Sequence, residues 1–323
     1  MPPRADSTGP HGILVVDKPL GPTSHDIVAQ ARRRFQTRRV GHAGTLDPMA
    51  TGVLVLLFGE ATKLCDWASG CDKRYSAELR FGRGTDSHDA DGATTDELPE
   101  GRHPTIGELE LTRALSMERA RTVQLPPVVS ALKVGGQRAY SLSRAGKPPE
   151  LEPRPVRVHS LELQHWDQRH VCVELLVTKG YYVRAFARDV SKTLDVPAHL
   201  GALRRLQSGD FELAEACSWP LLEERQPIPL AAALPRLLPT LRLRASGVTR
   251  ARLGQTLTLD DFIDHPTEQR ADALGSAVWG WTDAAGTPIA IGESKADGFR
   301  VRRGFSADLE PVEGEQRASI STG

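Results

Sequence analysis

The first strong pattern in the chain is an apolar run closed by a proline. The stretch GILVVDKP (12–19) has the length and the β-branched content of a buried strand, which Pro19 ends. Thr23 and Asp26 follow at the spacing of a capping box, so we predict a helix through IVAQARRRF. The apolar positions of that helix share one face and are Ile27, Val28, Ala31 and Phe35.

Alternation of apolar and polar residues predicts further strands at 75–82, 156–163 and 170–177. Helical patterns are expected at about 105–120, 138–145 and 183–194. The mixture of these elements predicts a mixed α/β (α+β) fold for the main part of the chain.

A composition change near residues 220–240 predicts a second domain. Four short strand patterns follow it (LRLRA, SAVWGWT, TPIAIGE and FRVRRGF), separated by turn sequences. We expect a main domain over 10–235, a small β-barrel-like domain over 240–306 and a disordered acidic tail over 307–323.

Composition is typical of a soluble globular protein, with 323 residues of which 25% are charged and 39% apolar. The longest apolar run, 53–58, is far too short to span a membrane, and the start MPPRADSTGPHG carries no apolar signal region. We therefore expect a cytoplasmic protein without a membrane partner. The four cysteines have no CxxC spacing, so no zinc ribbon or disulfide framework is predicted.

The net charge is zero, but the charges are segregated along the sequence. Residues 31–40 contain five arginines and no acid, whereas residues 86–100 contain six acids and no Lys or Arg. A single charged run most often forms a solvated surface, so the arginines alone leave phosphate binding as the second alternative.

Asp47 stands alone between glycine-containing turns in GHAGTLDPMATGVL (41–54). An Asp before a proline is most often a turn-forming acceptor, and a displayed reactive carboxylate is the other possibility. Nucleotide-binding, zinc-protease and serine-hydrolase motifs are all absent, and DADG (89–92) lacks the glutamate that would complete a calcium loop. We therefore predict no cofactor and no metal.

Seven segments carry a resemblance to one family. In chain order they are DKPLGPTSHD (17–26), GHAGTLDPMATGVL (41–54), GEATKL (59–64), DKRYSAELRFGRGTDSHDADG (72–92), PPVVSALKVGGQRAYSLSRAG (126–146), KGYYVRAFARDV (179–190) and AHLGALRRLQSG (198–209). Between about residues 10 and 220 the sequence resembles the TruB-type tRNA pseudouridine-55 synthases. Val129 and Tyr181 depart from the family pattern, which commonly has an aromatic residue and Thr at these places.

The resemblance implies a pseudouridine synthase fold, with a central mixed or antiparallel sheet flanked by helices and a C-terminal PUA-like β-barrel. It also implies an isomerase that needs no cofactor. Asp47 matches the catalytic aspartate, Arg184 its partner, and Tyr75 and Tyr182 the active-site tyrosines. His42, Leu203 and Lys18 are expected to bind the substrate together with Tyr182, and Lys63 and Asp89 match further landmarks of the family.

The implied partner is the T-arm stem-loop of tRNA, bound by a monomer. With that partner, phosphate contacts become the favoured interpretation of the arginines, which are Arg32, Arg33, Arg34, Arg38 and Arg39. Two alternatives stay open: a non-catalytic RNA-binding or tRNA-folding protein on the same fold, and an aspartate-nucleophile hydrolase.

Overall fold

The computed structural model describes residues 9–102, 104–128, 133–134, 137–138, 151–219, 222, 225–264, 277–306 and 309. The α-helices within these residues are α1 (Ser24–Arg34), α2 (Cys65–Gly70), α3 (Glu108–Arg119), α4 (Val183–Leu194), α5 (Leu230–Ala233) and α6 (Ala245–Arg252). The strands of the first half are β1 (Gly12–Lys18), β2 (Val40–Ala43), β3 (Ala50–Phe58), β4 (Lys73–Phe81), β5 (Arg83–Thr85), β6 (Thr94–Glu97), β7 (Val123–Gln124), β8 (Lys133–Val134), β9 (Gln137–Arg138) and β10 (Arg154–Pro155). Those of the second half are β11 (Val158–Trp166), β12 (His170–Val177), β13 (Ala198–Ser208), β14 (Phe211–Glu212), β15 (Cys217–Ser218), β16 (Ile228–Pro229), β17 (Thr240–Arg242), β18 (Val278–Thr282), β19 (Pro288–Lys295) and β20 (Gly298–Gly304).

One large sheet forms the centre of the molecule. Its main path is β11-β12-β4-β13-β3-β1-β15, with β2, β14 and β16 paired to β3, β13 and β1. Strand β13 runs antiparallel to β4 and parallel to β3, so the sheet is mixed. The predicted mixed α/β fold with a central mixed sheet is confirmed.

Strand β3 contains the apolar run VLVLLF because both of its faces are buried. Leu54, Leu56 and Phe58 belong to the core on the face covered by α1, α3 and α4. Val53, Val55 and Leu57 face the opposite way, into a second core. A strand covered on both sides has no solvent face on which alternation could appear, unlike β4, whose buried and exposed residues alternate.

The predicted elements of the main domain lie close to those observed. Helix α1 has the expected capping box between Thr23 and Asp26, and the pattern at 183–194 coincides with α4. The helix expected over 105–120 spans Glu108–Arg119. The helix predicted over 138–145 falls outside the described residues except for Arg138, which ends the short strand β9.

The C-terminal strands form an open sheet in the order β17-β18-β19-β20. The β-barrel expected here is not closed within the residues that the structure describes. The edge strand β20 is extended only by an isolated bridge between Leu257 and Phe299, so its pairing does not continue around to β17. Of the predicted acidic tail over 307–323, only Leu309 lies within the described residues.

The C-terminal sheet packs on the main sheet. Val278 and Ile291 are buried in the same apolar cluster as Ile13 and Val15 of β1. This cluster therefore joins the two parts of the chain through side chains that are inaccessible to solvent.

A buried carboxylate adds a polar connection between the same two parts. Glu60 accepts hydrogen bonds from Arg39 Nη2 at 2.6 Å, from Lys63 Nζ at 2.5 Å and from the backbone N–H of Ser306 at 2.9 Å. Lys63 Nζ also donates to the carbonyl of Gly304 at 2.6 Å. Glu60 thus connects the arginine segment to the end of the C-terminal sheet.

Helices of the length and hydrophobicity needed to cross a bilayer are not found among the described residues.

Candidate active site

The loop that carries Asp47 leaves β2 and enters β3, and neighbouring segments hold its backbone. Ser24 Oγ donates to Leu46 O at 3.0 Å and accepts from Leu46 N at 2.9 Å. Lys18 Nζ donates to the carbonyls of Pro19, Pro48 and Ala50 at 2.9, 3.3 and 2.7 Å. Because these contacts come from β1 and the start of α1, the carboxylate is displayed on a fixed turn.

Asp47 opens into a cavity of about 290 Å³. The predicted site residues that line it are Asp47, Tyr75, Tyr182, Arg184 and Leu203. They come from the β2–β3 loop, β4, the start of α4 and β13, so long-range pairing in the sheet brings them together. Lys18 and His42 are not among the lining residues.

Arg184 forms the central ion pair of the site. Its Nε lies 2.9 Å from Asp47 Oδ2 and 3.5 Å from Asp89 Oδ2. Its Nη1 donates to the carbonyl of Ser87 at 3.2 Å. The Arg184 side chain is 6% exposed, whereas the Asp47 side chain, which lines the cavity, is 36% exposed. A substrate can therefore reach the carboxylate while the cation stays behind it.

The surroundings of Asp47 act on its protonation in opposite directions. Burial by the protein raises the pKa of this carboxyl above its ordinary value, and the neighbouring charge of Asp89 acts in the same direction. Arg184 is the largest opposing influence on the Asp47 pKa, because its positive charge favours the ionised form. The ionisation of the carboxylate thus depends on the arginine.

Lys18 stands behind the Asp47 loop. Its side chain is fully buried, and desolvation lowers its pKa to about 8, while the charge of Asp47 partly opposes that shift. With three backbone carbonyls as hydrogen-bond acceptors, Lys18 shapes the turn rather than the cavity surface.

His42 lies in β2 and contacts His25 edge to face, with ring centroids 5.3 Å apart. Desolvation lowers the pKa of His42 to about 4, so the ring is neutral at physiological pH. Its buried Nδ1 has no hydrogen-bond partner within the part of the chain that the structure describes. The ring lies directly before the Asp47 loop in the chain and outside the cavity lining.

The cavity is also lined by two buried cationic residues that were not predicted from the sequence. Arg205 donates from Nε to Val53 O at 2.6 Å and from Nη2 to Gly44 O at 3.0 Å. Lys73 donates to the carbonyls of Ser69 and Cys71, and desolvation lowers its pKa to about 8. Both lie within segments that resemble the family and are two positions from predicted site residues, Tyr75 and Leu203. This proximity is the feature of the sequence that could have identified them.

A third missed residue is Gln124, which is 2% exposed in β7. Its side-chain amide accepts from Tyr182 N at 2.8 Å and donates to Tyr182 O at 3.2 Å. Sequence spacing gives no indication of this contact, because 58 positions separate the two residues.

The described residues contain no group of three or more His, Cys, Asp or Glu side chains placed to hold a metal ion.

The fold and the cavity define a pseudouridine synthase domain. The model of the TruB family pseudouridylate synthase N-terminal domain matches residues 32–183. A protein of Mycobacterium tuberculosis named tRNA pseudouridine synthase B is 45% identical over 229 residues, covering 70% of this chain and 76% of that protein. One of the same name from Opitutus terrae is 42% identical over 228 residues, covering 71% of this chain and 92% of the relative. The chain belongs to the TruB family of pseudouridylate synthases.

Solved structures agree on the fold. A chain in "Structure of H/ACA RNP bound to a substrate RNA containing 2'-deoxyuridine" has a TM-score of 0.67 at 20% identity, covering 92% of this chain and 85% of that one. A chain in "Crystal Structure of a Cbf5-Nop10-Gar1 Complex" has a TM-score of 0.66 at 22% identity, covering 93% and 84%. Both structural alignments cover far more of this chain than residues 32–183, which the family model matches.

Proposed function

We propose that this protein is a tRNA pseudouridine synthase that converts the uridine at position 55, in the T-loop, to pseudouridine. The observation that carries the proposal is the Asp47–Arg184 ion pair, whose carboxylate faces a cavity lined by Tyr75 and Tyr182. The shared name of the curated relatives, tRNA pseudouridine synthase B, supports tRNA as the substrate class.

The reaction is an isomerisation, so no atom is gained or lost. The C1′–N1 bond of the nucleotide breaks, the uracil turns, and a bond forms between C1′ and C5. C5 gives up its proton and N1 gains one. The charge that develops at C1′ requires an anion nearby, whether it acts as nucleophile, base or electrostatic partner. Asp47 supplies that anion in each case.

The other lining residues have distinct roles in this proposal. A uridine inside the cavity has left its stack, and the ring of Tyr75 replaces the lost π surface, worth about 1–3 kcal/mol. The tyrosine hydroxyls are suited to assist proton transfer at C5, and Leu203 provides an apolar contact for the base. Arg184 keeps Asp47 ionised once the RNA excludes water from the cavity.

His42 and Lys18 act from outside the cavity lining. The neutral ring of His42 lies directly before the Asp47 loop, on the side where the T-arm would enter. Its role in this proposal is to contact the RNA loop after the target base has been displaced from it. Lys18 fixes the Pro48 and Ala50 carbonyls and so holds the turn that presents Asp47. The exposed arginines of the segment before β2 are suited to phosphate contacts on the same arm.

The test uses a T-arm stem-loop made with uridine carrying tritium at C5. Isomerisation releases that hydrogen to water, so we expect tritium release together with pseudouridine mapped to position 55. A stem-loop with cytidine at position 55 is the matched control and should release nothing. RNA binding without tritium release would instead indicate an RNA-binding or RNA-folding protein. Free uracil would indicate a hydrolase, and either outcome overturns the proposal.

A further inference from the structure

The amide of Gln124 bonds to both backbone polar groups of a single residue, Tyr182. Its Oε1 accepts from Tyr182 N at 2.8 Å and its Nε2 donates to Tyr182 O at 3.2 Å. With 2% of its surface exposed, Gln124 has little water available to replace either bond. Removing it takes this acceptor from the Tyr182 N–H and one of the donors from the Tyr182 carbonyl, and the loss of a buried hydrogen-bond partner is costly.

Tyr182 is the residue at which α4 begins, so the position of its backbone matters for the site. It is the N-cap of the helix and makes no capping hydrogen bond with its own side chain. Its carbonyl also accepts from Phe186 N at 3.1 Å, the first bond of the helix. Both Tyr182 and Arg184, two residues further on, line the cavity. A shift of this helix start would move both side chains relative to Asp47.

Other contacts fix the segment that carries Gln124 against α4. Arg188 Nη2 donates to the carbonyl of Leu125 at 3.0 Å. Arg121 forms ion pairs with Glu118 of α3 and, at 3.4 Å, with Asp189 of α4. Strand β7 also pairs with β10, which places Gln124 opposite Arg154. Gln124 therefore lies on a strand that is held against α4. The hydrogen bonds of its amide connect this strand to Tyr182 in the cavity wall.

We propose that Gln124 is a positioning residue for the isomerisation, which sets the backbone of Tyr182 and thereby the placement of Tyr182 and Arg184 against the nucleotide. This inference rests on the proposed function, because its main readout is the rate of that reaction. It predicts a loss in kcat rather than in RNA affinity. The arginines that we propose as phosphate contacts belong to α1 and to the segment before β2, not to α4.

The chain contains a matched control for this contact. Gln168 accepts from Ile106 N at 2.7 Å through Oε1 and donates to Ile106 O at 3.0 Å through Nε2. The bonding pattern is the same, but Gln168 lies in the β11–β12 turn and neither residue lines the cavity. Gln168 is exposed, so a substitution there removes the same pattern of bonds at a position that water reaches, and it leaves the reaction centre unchanged.

The first experiment compares Gln124→Leu with Gln168→Leu on the tritiated stem-loop. We expect kcat to fall about 10- to 100-fold in the Gln124 variant, since small misplacements of catalytic groups cost this much. KM should stay within about threefold of the parent, and the Gln168 variant should keep the parental kcat. Equal kcat values for the two variants would overturn the inference. An inactive parent protein would instead overturn the proposed function, so the two failures are distinguishable.

Gln124→Glu provides a conservative variant whose bonding changes with pH. A protonated carboxyl both donates and accepts, as the amide does, whereas a carboxylate can only accept. The ionisable groups of the neighbouring elements are all shared with the parent, and they are His88, Glu118, Arg121, Arg154, Tyr181, Arg184, Arg188 and Asp189. The ratio of variant to parent kcat should therefore rise as pH falls. The same ratio for Gln124→Leu should stay constant at pH values above the acid limb set by Asp47, because leucine does not titrate. A constant ratio for the Glu variant would overturn the inference.

A measurement without RNA covers the possibility that the leucine variant is too unstable to assay. The amide of Tyr182 donates to Gln124 Oε1, so its hydrogen exchange reports on this bond directly. We expect that amide to exchange faster in Gln124→Met, which nearly keeps the side-chain volume but removes both bonds, than in the parent, with the amide of Ile106 unchanged. Unaltered exchange at Tyr182 would show that the amide of Gln124 does not hold this backbone, and would overturn the inference.

Discussion

In the ion pair between Arg184 and Asp47, the cation is 6% exposed while the carboxylate is 36% exposed. Arg184 also contacts Asp89, a buried acid that accepts from Ser87 Oγ and from the N–H of Asp91. Asp89 thus contacts Arg184 independently of Asp47. The arginine would keep this carboxylate partner if Asp47 were changed. Asp47 can accordingly be substituted without leaving a buried charge unpaired.

Asp47→Asn should abolish turnover and preserve the fold. The amide has nearly the same shape but cannot supply an anion, so we expect at least a thousandfold loss of kcat, about 4 kcal/mol of transition-state stabilisation. RNA affinity should remain within about threefold, since phosphate contacts dominate it. Single-turnover tritium release and filter binding measure the two quantities. Asp66→Asn, at an exposed acid on α2, is the control; turnover of Asp47→Asn within tenfold of the parent would refute the assignment.

The pH dependence of the chemical step should follow the ionisation of Asp47. Burial raises the pKa of Asp47 above 3.8, so the rate should fall with decreasing pH through a value above 3.8. Arg184 lowers that pKa, and Arg184→Gln should therefore move the acid limb to higher pH. Arg184→Lys retains the charge and should move it less. Single-turnover rates between about pH 4 and 9 measure the limb; identical limbs in all three proteins would contradict this account.

The structure separates the arginines before β2 into two kinds. Arg38 is exposed, whereas Arg39 pairs with the buried Glu60 at 2.6 Å. Arg38→Gln should leave stability unchanged and reduce the slope of log affinity against log salt by up to about 0.9. Arg39→Gln should lower the free energy of unfolding by about 1–3 kcal/mol, because the Glu60 carboxylate loses a charged donor. A salt series and denaturant titrations measure these effects; equal stability losses in both variants would refute the distinction.

The apolar cluster shared by the two sheets predicts joint unfolding. Ile291 is fully buried in this cluster together with residues of β1 and β3. Ile291→Ala should cost about 2–5 kcal/mol and should lower the midpoint of the whole-chain transition. Leu253→Ala, at a side chain that is 68% exposed, is the control and should change little. Two separate transitions, with only the C-terminal one shifted, would show that the sheets unfold independently.

Sequence patterns were most informative where local physics determines the structure. The capping box of α1, the bounds of α4 and the alternation of β4 all follow from neighbouring residues. Resemblance to a family then singled out Asp47 and Arg184, which spacing could not have paired across 137 positions.

The parts that were missed depend on tertiary contacts. Gln124 and Arg205 act on backbone groups far away in the sequence, and no local pattern records such a contact. The barrel expected at the C-terminus required a closing strand pair, and strand patterns indicate strands without indicating their partners. For the same reason, the placement of His42 and Lys18 outside the cavity lining could not be foreseen.

The two-sided burial of β3 has a consequence for the tolerance of this segment to genetic variation. In a library of all single substitutions, β4 should show a period of two, with permissive positions at Ser76 and Arg80 between restrictive ones. Residues 53–58 should show no such period, because every side chain there enters one of two apolar clusters. The strand that follows the Asp47 loop should therefore be a continuous block of positions intolerant to substitution. The exchanges tolerated there should be those among apolar residues of similar volume.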